Sequence, residues 1–118
     1  MTNQESIKER YLLDSLPVRL GGLAANLARV KSFSNNDAHR EVVESLIDES
    51  KFFIEWTAAD AELNVQTELV DLQRQLARWQ LNWSQIWADI EWRNTVAERA
   101  GNWSMRVLEL SGLMASSR

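Results

Sequence analysis

The sequence predicts an all-α fold, an antiparallel bundle of about four helices, and three observations carry that prediction. Between Val65 and Ile90 the apolar residues fall in alternating steps of four and three: Val65, Leu69, Leu72, Leu76, Trp79, Trp83, Ile86, Ile90. Only an α-helix gathers such a heptad stripe on one narrow face. One proline and four glycines in 118 residues leave long stretches without a helix breaker. No segment sustains the period-two alternation of a half-buried strand. With 45% apolar and 25% charged residues, the chain has an ordinary globular composition and is long enough to bury one continuous core, so residues 1–118 read as a single domain.

The first segment, Glu5 to Asp14, reads as a short helix turning Ile7, Tyr11 and Leu12 or Leu13 inward. A stripe of Leu13, Leu16, Leu20, Leu23, Leu27 and Val30 follows, and Pro17 interrupts it. Proline lacks the N–H that a helix interior needs and is tolerated in a first turn. A kink or restart is therefore expected at Ser15–Pro17, with Ser15 as N-cap and helix to about Ser32. Ser34 to Asp37 forms the clearest loop, and Ser34 with Asp37 has capping-box spacing, aspartate standing in for the usual glutamate. The next helix is expected from about Asp37 to Thr57, burying Val43, Leu46, Ile47, Phe53 and Ile54, with Phe52 and Trp56 widening that face.

Thr57 and Asp60 are the expected cap and first-turn acid of a long helix from about Asp60 to Trp92, ~50 Å in length. The phase then slips. Val96, Ala100, Trp103, Val107, Leu110 and Met114 form a new stripe, and Thr95 with Glu98 makes a capping-box pair at the discontinuity. A last helix is expected from about Val96 to Ala115, with Gly101 inside it at a cost of ~1 kcal/mol. One continuous helix to the C-terminus is the alternative, and its second half would need another chain to pack against.

Chemistry finds few footholds in this chain. Without cysteine there is no thiolate nucleophile and no sulfur-based metal site. The single histidine, His39, sits at a helix start, preceded three residues earlier by Asn36 rather than a carboxylate. Glu41, Glu44 and Asp48 share a helical face, which reads as solvated before it reads as a cation site. Gly21–Gly22 follows helical pattern rather than a strand, so nucleotide-binding fingerprints do not apply. No enzymatic activity, cofactor or metal is expected. The net charge of −4 argues against direct nucleic-acid binding. No stretch approaches the ~20 apolar residues of a membrane span, and the polar N-terminal decapeptide is no secretory signal, so a cytoplasmic location is expected.

Charge is nevertheless uneven. Ser15–Asn36 holds Arg19, Arg29 and Lys31 and no acid, whereas Asp37–Glu62 holds eight acids against Arg40 and Lys51. Arg19, Gly22, Asn26 and Arg29 recur at helical steps, and Arg19, Asn26 and Arg29 form a candidate polar groove for an anionic or peptide ligand. The same pattern reads more readily as close packing with salt links to the acidic helix. Among six tryptophans, Trp79, Trp83, Trp87 and Trp103 lie on or beside apolar stripes, and Trp92 faces away. With Leu63, Val70 and Leu81 on a second, weaker apolar line, Trp92 forms a candidate interaction surface; the other reading of that line is a central helix buried on two sides.

The stretch LPVRLGGLAANLARVKSF, Leu16 to Phe33, together with the Trp- and Gln-rich long helix, resembles small all-helical cyanobacterial proteins, some associated with regulation of heterocyst development. The resemblance covers about a fifth of the chain, contains no motif that performs chemistry and implies a regulatory role. The expected function is a non-enzymatic protein-interaction module, a regulatory adaptor working as a homodimer or with a protein partner. The alternative is a small-molecule binder with a Trp-lined cavity between helices.

Overall fold

The structure, a computed structural model, describes residues 3–112. They form α1 (Asn3–Leu13), α2 (Leu16–Phe33), α3 (Arg40–Ala58), α4 (Leu63–Leu81), α5 (Trp83–Ala88) and α6 (Ile90–Ser111), with a 3-10 turn at Asp37–His39 and no strand among the described residues. The count is six α-helices rather than about four. The four longest, α2, α3, α4 and α6, run 18 to 22 residues.

The chain breaks at Asp14–Ser15. Ser15 takes extended backbone, its carbonyl accepts the Arg19 N–H, and Pro17 falls in the first turn of α2. The Ser15 side chain makes no capping bond. Leu13 does not join the α2 stripe: it is 84% exposed, because the break rotates α1 out of phase and turns Tyr11 inward instead.

α2 lies between α3 and α6, and its Leu20, Leu23, Leu27 and Val30 are buried at the centre of the core. Small residues let α6 approach closely. Ala97 and Ala100 are buried, and Ser104 Oγ donates to the Ala24 carbonyl across the seam at 2.7 Å. A Cβ on Gly101 would lie 2.7 Å from Lys31 Cδ, so this glycine makes room for the lysine stem.

Loop chemistry departs from expectation at three places. Ser34 Oγ turns back to the Val30 carbonyl, and Asn36 caps the 3-10 turn by accepting from Ala38 N–H, so the Ser34–Asp37 capping box does not form. The second long helix consequently starts at Arg40 rather than Asp37. Thr57 is buried against Tyr11 and Asp60 binds Arg19; α4 begins three residues later, after Glu62 in extended backbone.

The expected Asp60–Trp92 helix is three helices. At Asn82 the side chain donates to the Arg78 carbonyl, competing with the helical ladder. Backbone bonds from Asn82 N–H to Arg78 and from Ile86 N–H to Asn82 still span the interruption. The stripe therefore stays buried through Leu69, Leu72, Leu76, Trp79, Trp83 and Ile86, with Val65 partly buried. At Asp89 the backbone becomes extended and the carboxylate accepts from Glu91 and Trp92 N–H, starting α6 six residues before the expected Val96. Ile90 is thereby thrown 60% into solvent. Thr95 donates back to the Glu91 carbonyl inside α6 and caps nothing. The helix ends at Ser111, with Gly112 in left-handed conformation at φ 79°, rather than at Ala115. Met114 lies outside the described residues.

Candidate functional site

The polar residues of α2 are bound up within the fold. Arg19, only 7% exposed, donates Nη1 to Asp60 Oδ2 at 3.0 Å. Buried Asn26 donates to Glu49 Oε1 at 2.9 Å and accepts from Arg29 Nη1 at 3.0 Å. Arg19, Asn26 and Arg29 thus form a polar seam whose partners come from the acidic α3 and the loop after it, and the seam is filled by the protein's own groups. Tyr11 closes one end of it. Its ring stacks on Phe53 with centroids 4.1 Å apart, its hydroxyl donates to the Arg19 carbonyl, and that oxygen also lies 3.0 Å from Thr57 Oγ1. Burial pushes the phenol up to about 12.

The arginine that sequence reading passed over is Arg93. It is buried, stacks its guanidinium 4.9 Å above the Trp87 ring, donates to the Trp87 carbonyl and pairs with Asp37 at 3.0 Å. Trp87 Nε1 donates to the Asp37 carbonyl at 2.9 Å, so the 3-10 turn, α5 and α6 are tied at one point. Trp79, Trp83 and Trp87 are buried in the core, with the Trp83 and Trp87 rings 5.3 Å apart.

An open groove runs between α4 and α6, which touch each other only sparsely. It consists of two recesses of about 400 and 200 Å³ that share Gln75 and Arg99. Trp103 and Arg106 stand in the larger, opposite Glu68; Arg78, Trp79 and Trp92 stand in the smaller. The α6 residues of this wall recur at helical steps from Trp92 through Thr95, Arg99 and Asn102 to Arg106, a length of ~21 Å. Arg106 grips Glu68 with Nε and Nη2 and reaches Glu109 with Nη1, fastening the far end of α6 to α4. The hydrogen bonds from Arg106 hold the Glu68 carboxyl below its usual range.

Of the candidate interaction residues, the structure places Trp92 in this groove, 36% exposed. Leu63, Val70 and Leu81 stand elsewhere on α4, 77%, 46% and 86% exposed. They share one line of the helix but are separated by ~10 and ~16 Å along it. Trp103, expected within the apolar stripe of the last helix, is only half-buried and borders the larger recess. Arg78, Arg99 and Asn102 were not singled out from the sequence, although the three-four recurrence along α6 marks a second face beside its apolar stripe. Among the described residues, no three His, Asp or Glu side chains come together as a metal site, and no helix is long and apolar enough to cross a membrane. Compared with protein-family profiles, curated proteins and solved structures, the chain matches none.

Proposed function

We propose that the chain is a non-enzymatic protein-interaction module, a cytoplasmic regulatory adaptor whose four long helices form an antiparallel bundle and which self-associates as a homodimer. One observation carries the reading: Leu63, Val70 and Leu81 stand in water along one line of α4 while the opposite face of that helix fills the core. Single exposed apolar residues are ordinary on protein surfaces. Three on one helical line, on a helix that a polar sequence would serve equally well for folding, support an association surface. The resemblance of Leu16–Phe33, together with the Trp- and Gln-rich helix, to small all-helical cyanobacterial proteins, some of them associated with regulation, favours the adaptor role over other binding roles.

Light scattering tests the reading. A dimer is expected for the native chain, and a monomer for the Val70→Glu/Leu81→Glu double variant, because unpaired carboxylates buried at an interface oppose association. Helicity by circular dichroism should be unchanged in the variant, since both side chains already stand in solvent. A native chain that stays monomeric at millimolar concentration removes the homodimer.

A further inference from the structure

We propose that the α4/α6 groove seats one amphipathic helix of a protein partner, acidic along its flanks and presenting one or two large apolar residues inward. The inference rests on the reading of the chain as an interaction module and names the chemistry of its partner.

Charge selects the acidic flank. The chain carries a net charge of −4, yet the groove is lined by Arg78, Arg99 and Arg106 against the single acid Glu68. Glu68 is already neutralised by Arg106. The side chains of Arg78 and Arg99 make no ion pair or hydrogen bond among the described residues, so two guanidiniums face the groove with their donors unused. Guanidinium forks match carboxylates in geometry as well as charge. Trp92 at one end of the α6 wall and Trp103 about a turn short of the other, half-buried against the core, supply the large flat apolar contacts on which interfaces concentrate their binding energy.

Geometry selects a helix. Both walls are α-helices whose backbone groups are spent within their own ladders, so an extended peptide would find no strand edge to pair with. A helical partner satisfies its own backbone and brings side chains alone, the helix-in-groove mode. The ~21 Å from Trp92 to Arg106 accommodates about 14 helical residues, close to four turns. The sparse contact between α4 and α6 leaves this the open seam between two long helices that α2 and α3 otherwise hold in place.

The test is selection of random peptides about 16 residues long, a little more than the groove's helical span, displayed on phage against the purified full chain. Enriched sequences should be acidic, with large apolar residues three or four apart. Synthesised, they should become helical on binding and shift the indole N–H resonances of Trp92 and Trp103. Their affinity should fall at least about tenfold with Arg78→Glu/Arg99→Glu, and also with rising salt. Both arginines are exposed and unpaired, so this variant keeps its fold; Arg99→Ala serves as a milder control. Failure to enrich any family of peptides, enrichment of basic or proline-rich ones, or binding indifferent to the arginines overturns the proposal. So does arginine-dependent binding of single-stranded RNA oligonucleotides, which would make the groove a nucleic-acid site. The two readings separate cleanly: a native dimer that selects no acidic helix keeps the module and loses this partner, and a native monomer that selects one loses only the homodimer.

Discussion

Tyr11 joins three helices at one point, its ring on Phe53 of α3 and its hydroxyl on the backbone of α2. Burial raises its pKa from 10.0 to about 12, and the bond to Thr57 opposes that shift only in part. In the unfolded chain the phenol ionises near 10, so the unfolded state releases its proton first as pH rises. The resulting stabilisation is fully present below pH ~10 and is lost progressively towards pH ~12, amounting to roughly 2–3 kcal/mol. Urea midpoints measured across this window should fall more steeply for the native chain than for Tyr11→Phe, which has no phenolic proton to lose. Equal slopes would show that the phenol is not desolvated in the folded state. Because Tyr11 is the only tyrosine, an absorbance titration reads its midpoint directly.

Between single residues and the whole chain, capping decides where helices stop. The heptad stripe from Val65 to Ile86 was legible as burial because burial follows apolar periodicity. The breaks at Asn82 and Asp89 were not, because they arise from short polar side chains competing for backbone groups, which an apolar pattern does not register. Thr95–Glu98 matched the capping-box spacing and caps nothing, whereas Asp89, without a glutamate three residues on, does. The groove was hidden for a different reason. Its two walls lie on different helices, so Trp92 stood out by falling off the stripe, while nothing in an apolar pattern marks Arg78 or Arg99. Asp89→Ala removes the cap of α6 and should lower stability by about 1 kcal/mol in chemical denaturation. Asp89→Asn, which still accepts from N–H, should lose less. If both variants match the native chain, the carboxylate is not what starts α6.

At the scale of the whole molecule, protection should follow position in the packing. α2 packs on both α3 and α6 and holds Leu23, Leu27 and Val30 with no exposed surface, so freeing its backbone requires parting both neighbours. α1 is fixed mainly through Tyr11 against α3, and its Leu12 and Leu13 face solvent. Native-state hydrogen exchange at neutral pH should show the central α2 amides exchanging only through global unfolding, at the free energy that denaturant titration gives. The α1 amides should exchange through a local opening of much lower free energy. The Tyr11→Phe substitution should loosen α1 further and leave α2 limited by the same global transition. Equal protection of α1 and α2 would show that Tyr11 locks the first helix into the cooperative unit. The α4 and α6 amides facing the groove provide the remaining comparison. Both helices are anchored to the core by one face only, so their groove-side turns should open before α2 does, and an occupant of the groove should raise protection there selectively.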